Sequence, residues 1–147
     1  MKTYALFDDS FFQNKPWWMP LKLHNVVSIR ANARSKEYML DLLHEYFPEA
    51  RVDQMDVPCE NAQIILLYPD SIGLGWSHLE KRLWKKFQEV RVLNGRKRCF
   101  ALTKHGRLKL VLRRFLEVTF LPEIVCAPFL LLYGTFLAIK DKIKGQS

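Results

Sequence analysis

The stretch Ala62–Glu80, AQIILLYPDSIGLGWSHLE, decides the fold of this 147-residue chain. Its first seven residues are apolar apart from Gln63, which is typical of a strand covered on both faces of a sheet. The loop Pro69–Gly75 follows, and Ser77 and Glu80 then form the S-x-x-E pattern of a capping box at a helix start. A buried strand, a loop and a helix in this order predict an α/β fold.

The sequence before this stretch predicts further elements of the same fold. Asn25–Ala31, NVVSIRA, alternates β-branched residues and is predicted to be a strand. Ser35 is predicted to cap a helix that Pro48 ends. Arg51–Val57 is predicted to be a second, more polar strand. These elements precede the buried strand in the order strand, helix, strand.

The sequence after it predicts a β-hairpin. Glu89–Leu93 and Arg96–Leu102 flank Asn94-Gly95, the dipeptide that favours a type I′ turn. Together the elements fit a small Rossmann-like three-layer domain over residues 1–103. Residues 104–147 are predicted to form a basic amphipathic helix followed by a hydrophobic membrane-docking segment.

Charge separates these two parts of the chain. Residues 1–89 contain 11 Lys and Arg against 12 Asp and Glu, whereas residues 90–147 contain 12 against 3, a balance of +9. A nearly neutral domain joined to a basic, apolar tail indicates an anionic partner for the tail. Lipid head groups and nucleic acid are the two candidates.

Val118–Ile139 is the candidate membrane segment, because Glu123 is its single charged residue. Its 22 residues would form a helix of roughly 33 Å, long enough for a bilayer core. Pro122 and Pro128 interrupt it, and positive charge, which marks the cytoplasmic side, flanks both ends. A kinked helical hairpin that enters and leaves on one side is therefore preferred over a single kinked membrane helix that spans the bilayer, with a buried pair of core helices as the alternative. The basic flanks are Arg107, Lys109, Arg113 and Arg114 before the segment, and Lys140, Lys142 and Lys144 after it.

The stretch Gly106–Phe120 is predicted to be a helix lying in the membrane interface, because one face is apolar and most of its cations lie elsewhere. The apolar face consists of Leu108, Val111, Leu112, Phe115 and Thr119. The N-terminus has no long apolar run and is not expected to be a signal peptide. Docking on anionic lipid at the cytoplasmic face is the expected localisation.

The loop after the buried strand is the candidate ligand site, since ligands of open α/β sheets bind beyond the carboxyl ends of strands. Its glycines would allow close approach of a phosphate-bearing or sugar-nucleotide ligand to a helix start. A tight turn that feeds the helix is the alternative interpretation. The candidate ligand-binding residues are Asp70, Ser71, Gly73 and Gly75, with Arg30 and Asn32 at the end of the predicted first strand.

No motif in the sequence specifies a catalytic reaction. The four histidines lack metal-ligand spacing, and no catalytic nucleophile or acid–base pair can be assigned. Neither a metal nor an organic cofactor is expected. The three cysteines include no C-x-x-C pair, which favours a reducing compartment. Whether the chain is an enzyme is left open.

The proline-broken apolar segment with basic flanks, Val118–Lys144, is similar in kind to the anchor of monotopic bacterial sugar-phosphate transferases. The adjacent Asp-Glu pair of those enzymes is absent from this sequence. The resemblance therefore implies a component of lipid-linked sugar or surface-glycan synthesis, either glycosyltransferase-like or an accessory subunit of such an enzyme. The alternatives are a non-catalytic membrane adaptor for an integral-membrane partner and, least favoured, a nucleic-acid-binding module.

Overall fold

The computed structural model describes residues 2–52 and 62–144, and its centre is a five-stranded sheet. The strands are β1 (Lys2–Phe7), β2 (Arg51–Val52), β3 (Ala62–Tyr68), β4 (Glu89–Asn94) and β5 (Arg98–Ala101). They lie in the order β2-β1-β3-β4-β5, and all neighbours are parallel except the antiparallel pair β4 and β5. The mixed α/β fold with a mostly parallel sheet is therefore confirmed.

Six helices are described, and the chain divides into two compact units at residues 114 and 115. The α/β unit extends through Arg114, and the C-terminal unit begins at Phe115. The α/β unit thus includes most of the basic amphipathic helix that the sequence pattern assigned to residues 104–147. The helices are α1 (Ser10–Gln13), α2 (Leu21–Ala31), α3 (Lys36–Tyr46), α4 (Ser77–Leu83), α5 (Lys104–Thr119) and α6 (Leu121–Lys144).

The core is built around β3, in which all seven residues are buried. Because side chains alternate along a strand, β3 presents two apolar faces. Ile65 and Leu67 pack with Met39 and Leu43 of α3 on one face. Tyr68 points to the other face and contacts Trp76, directly before α4. Helices therefore cover this central strand on both sides.

Three further predictions are confirmed. Helix α3 begins after Ser35, whose Oγ accepts a hydrogen bond from the Tyr38 amide (3.3 Å), and it ends before Pro48. The hairpin of β4 and β5 is present.

The predicted type I′ turn of this hairpin is wrong. That turn needs positive φ at Gly95, whereas Lys97 is the turn residue in the left-handed region (φ 58°). Gly95 is needed for another reason, since a Cβ there would lie 2.6 Å from the carbonyl oxygen of Pro69.

The predicted strand at Asn25–Ala31 is wrong, because this stretch forms the second half of α2. Val27 and His24 face the core one helical turn apart, and His24 Nε2 lies 2.7 Å from the carbonyl oxygen of Phe11. These tertiary contacts outweigh the modest preference of β-branched residues for strands. The first strand is β1 instead, and it pairs with β3 along its whole length.

The predicted strand Arg51–Val57 begins as β2 at its first two residues, and residues 53–57 lie outside the described part of the chain. In the predicted capping box, Glu80 lies in the helix, but Trp76 holds the N-cap position without a side-chain cap bond. The capping box is therefore wrong. The oxygens of Ser77 and Glu80 instead accept hydrogen bonds from the guanidinium of Arg114.

The apolar stretch of the C-terminal unit forms one continuous helix, α6, rather than a hairpin. Phe120, with φ of 55°, separates α5 from α6, and Pro122 lies in the first turn of α6, where proline is tolerated. Pro128 lies inside the helix without ending it. The hairpin within Val118–Ile139 is therefore wrong. By length and composition α6 is long and apolar enough to cross a membrane, and its apolar span Leu121–Ile143 is exposed throughout.

Candidate anion-binding site

In the loop after β3, the carboxylate of Asp70 forms hydrogen bonds with the backbone of the same loop. Asp70 is 2% exposed, and its oxygens accept hydrogen bonds from the amides of Gly73 (2.6 Å) and Leu74 (3.1 Å). Burial raises the pKa of the Asp70 carboxyl above its ordinary value, and the Leu74 and Gly73 amides partly oppose the rise. Asp70 therefore folds the loop, and its carboxylate oxygens face backbone donors rather than solvent.

The glycines of this loop allow close packing of aromatic rings. Gly73 and Gly75 have positive φ, and an added Cβ would lie 2.5 Å from the Tyr68 ring and 2.7 Å from Cβ of Phe11, respectively. Protein side chains thus occupy the space next to both glycines. Packing against Tyr68 and Phe11 accounts for both glycines, and the Gly73 amide already donates to Asp70.

Arg30 and Asn32 belong to the end of α2 instead of a strand end. Asn32 is the left-handed C-cap of that helix, a role for which asparagine is well suited. The linker that follows does approach the carboxyl end of β3, because the Arg34 amide donates a hydrogen bond to the carbonyl of Pro69 (2.7 Å).

A buried ionic cluster joins three elements of the α/β unit. Glu80 of α4 is fully buried, and its carboxylate accepts hydrogen bonds from the Tyr68 hydroxyl and from the guanidinium of Arg114 of α5. The same guanidinium donates to Ser77 Oγ (2.9 Å) and to the carbonyl of Ile72 (2.8 Å). Burial, followed by the charge of Glu80, raises the pKa of Tyr68 well above its ordinary value, so this hydroxyl remains a donor.

This cluster fixes the orientation of α5 on the α/β unit. Arg114 and Leu110, one turn apart, are the buried residues of the helix. The assignment of Arg114 to lipid head groups is therefore wrong, because its charge is neutralised inside the protein. The apolar residues Leu108, Val111 and Leu112 consequently lie on exposed faces of α5.

A basic cavity lies between α5 and the hairpin of β4 and β5. Its volume is about 230 Å³. The hairpin contributes Arg96 and Arg98 to its lining, and α5 contributes Lys109 and Arg113. We call the cavity with these four cations the basic pocket. The lining is completed by Ser71, Asn94, Phe100, Gly106 and Leu110, so that no acidic side chain of the described residues lines the cavity.

The basic pocket brings together two sets of residues that the sequence suggested separately. Lys109 and Arg113 were expected on a membrane-docking helix, and Ser71 in the ligand-binding loop. The antiparallel hairpin then places Arg96 and Arg98 beside them. The sequence signal for this convergence is the run of nine basic residues without an acid from Val90 to Leu116. Sequence spacing alone did not show that the hairpin and the helix face each other.

The remaining predicted docking residues have varied surroundings. Arg107 lies over the ring of Trp84 and 4.0 Å from the Glu80 carboxylate, so it belongs to the edge of the buried cluster. Lys140 and Lys142 are exposed near the end of α6. Within residues 2–52 and 62–144, no group of three or more His, Cys, Asp or Glu side chains is arranged to hold a metal ion.

Comparisons of this chain with protein-family models, with curated proteins and with solved structures found no match.

Proposed function

We propose that this chain is a membrane-associated protein in which α6 inserts into the lipid bilayer and the α/β unit faces the cytoplasm. The observation that carries the proposal is the exposure of α6: residues Leu121–Ile143 have a mean hydropathy of 1.7, and none of their apolar window is buried. A helix of 24 residues is roughly 36 Å long, enough for the hydrocarbon core. Exposing so large an apolar surface to water is unfavourable, whereas lipid would cover it.

Helix α5 supports the same location. Its exposed apolar residues Leu108, Val111 and Leu112 suit the acyl-chain boundary, and the exposed cations Lys109 and Arg113 suit anionic head groups. Each such cation contributes about 1 kcal/mol near an anionic leaflet. The nine basic residues from Val90 to Leu116 outnumber the three lysines at the end of α6, so the positive-inside rule favours the cytoplasmic side for the α/β unit.

Within this location we propose a role in the synthesis of a lipid-linked sugar or a surface glycan. A cytoplasmic basic pocket beside a membrane suits the phosphate group of a lipid carrier. We interpret the sheet, with helices on both faces of β3, as a small Rossmann-like three-layer domain, an architecture that commonly holds phosphate-bearing ligands.

A non-catalytic adaptor is the second candidate. It is favoured by the loop after β3, where Asp70 and both glycines serve the packing of the protein. The exposed apolar residues of α5 would then contact an integral-membrane protein. Substituting Arg98 and Arg113 separates the two candidates. Loss of glycan synthesis with unchanged membrane binding supports the first, and unchanged synthesis supports the adaptor.

Membrane extraction tests the proposed location. The full chain is compared with a chain that ends at Thr119, which retains Arg114 and therefore the buried cluster. The full chain is expected to resist both high salt and alkaline washes. The shortened chain is expected to be released by high salt, because without α6 its attachment depends mainly on electrostatic attraction.

Substitutions within α6 provide the matched pair for this experiment. Leu130→Arg combined with Leu131→Arg is expected to weaken insertion, because each arginine at the bilayer centre costs roughly 3 kcal/mol. Leu130→Ala combined with Leu131→Ala is the control and is expected to remain in the membrane. Release of the unmodified full chain by high salt alone would contradict insertion.

A further inference from the structure

Three cations of the same hairpin and helix have carboxylate partners. Arg91 pairs with Glu89, Lys97 pairs with Glu45, and Arg114 pairs with Glu80. None of the four pocket cations forms an ion pair with any residue in the described ranges 2–52 and 62–144. Four like charges around one cavity repel one another, and a bound anion would relieve that repulsion.

We propose that the basic pocket binds the phosphomonoester head group of a membrane lipid. This inference rests on the proposed membrane location for the source of the phosphate, whereas the site itself rests on the pocket geometry. Arginine binds phosphate oxygens in a bidentate manner, and three of the four cations are arginines. A phosphomonoester matches them best, because it carries close to two negative charges and three terminal oxygens.

The size of the pocket restricts the ligand further. A cavity of about 230 Å³ is smaller than the range typical of whole drug-sized ligands, so a head group fits better than a complete sugar nucleotide. Phe100 and Leu110 line the same cavity and provide apolar contacts for the carbon atoms that follow the phosphate.

Helix α5 explains why a lipid is the expected source of the phosphate. Lys109 and Arg113 line the pocket, while Leu108 and Leu112, each one residue earlier, are exposed apolar side chains of the same helix. Because successive helical residues lie about 100° apart, this apolar face is next to the row of pocket cations and does not line the pocket itself. With the apolar face in the acyl-chain boundary, the pocket would lie at the level of the lipid head groups.

The test measures binding of short-chain phosphatidic acid to the full chain in neutral detergent, with short-chain phosphatidylglycerol as the diester comparison. Phosphatidic acid is expected to bind about tenfold more tightly, the equivalent of one added charge-assisted hydrogen bond. The double variant Arg98→Gln/Arg113→Gln is expected to lose this preference. The control Arg82→Gln/Lys85→Gln removes the same charge from exposed positions near α4 and is expected to keep it.

Three outcomes would overturn the proposal. Equal weakening in both double variants would mean that binding reports overall charge alone. Equal binding of the two lipids would exclude a monoester site. Competition by inorganic phosphate at the same concentration as the lipid would assign the pocket to a soluble phosphate. Because the variants leave α6 intact, their resistance to alkaline extraction reports the proposed function independently of all three outcomes.

Discussion

Strand β3 and helix α6 are both continuous apolar stretches, yet they lie in opposite surroundings. All seven residues of β3 are buried, between neighbouring strands and under helices on both faces. The apolar window of α6 has no buried residue, and Leu131 at its centre is 72% exposed. The comparison shows that an apolar sequence predicts removal from water but does not specify whether protein or lipid covers it. Protein covers β3, and we propose that lipid covers α6.

The largest expected effect concerns the polar centre of the α/β unit. Arg114→Met leaves the buried Glu80 carboxylate without its main cation and is expected to lower the free energy of unfolding by about 3–5 kcal/mol. Adding Glu80→Gln is expected to recover most of this loss, because a neutral amide still accepts the Tyr68 hydrogen bond. Chemical denaturation of the full chain in detergent, followed by tryptophan fluorescence, measures both. Additive losses would show that Glu80 and Arg114 are not coupled.

The second effect compares the two apolar stretches directly. Ile65→Ala in β3 creates a cavity and is expected to cost roughly 2–5 kcal/mol of unfolding free energy. Leu131 in α6 is exposed, so Leu131→Ala creates no cavity in the protein. It is expected to change the unfolding free energy by no more than about 0.5 kcal/mol. Equal losses in the two variants would show that α6 packs against protein instead of lipid.

A smaller effect distinguishes two glycines. Gly73→Ala forces a side chain into a conformation with φ of 68° and against the Tyr68 ring, and is expected to cost about 1–3 kcal/mol. Gly134→Ala in α6, where an added Cβ meets nothing within 4 Å, is the matched control and is expected to be neutral or to favour the helix. Thermal unfolding of both variants provides the measurement, and tolerance of Gly73→Ala would count against the described loop.

The smallest effect is the pH dependence contributed by Asp70. Its folded pKa lies above the ordinary value of 3.8, so the folded chain keeps this proton longer than the unfolded chain. The contribution of Asp70 to stability is therefore complete below about pH 3.8 and is lost as the pH rises through the folded pKa. The difference in unfolding free energy between the parent chain and Asp70→Asn should fall across this window. A carboxyl carbon NMR titration with a midpoint below 3.8 would contradict it.

Patterns that depend on neighbours along the chain were the predictable part of the fold. The apolar run indicated β3, Ser35 marked the start of α3, and the Asn94-Gly95 turn marked the hairpin. Strand β1 was missed, although Tyr4 and Leu6 show the alternation of a strand. The Asn25–Ala31 strand failed because His24 and Val27 bury a helical face through contacts that local propensity does not include.

Contacts between distant residues were the unpredictable part of the site. Glu80 and Arg114 are 34 positions apart, and the spacing of Ser77 and Glu80 suggested a cap instead of an ion pair. The basic character of the hairpin and of α5 was visible in the sequence, but their convergence around one cavity required the fold. The exposed apolar helix was predictable from composition, whereas its continuity through Pro128 was not, because proline usually breaks helices.

The most direct test of the central claim is the accessibility of the middle of α6 in membranes. Leu131→Cys is introduced into a chain whose three native cysteines are replaced by serine, and Arg82→Cys on α4 is the exposed control. An impermeant maleimide is supplied on both sides of the bilayer. It is expected to label Arg82→Cys and to leave Leu131→Cys unmodified, because a thiol in hydrocarbon neither ionises nor is accessible to the reagent. Equal labelling of both positions in intact bilayers would contradict insertion of α6.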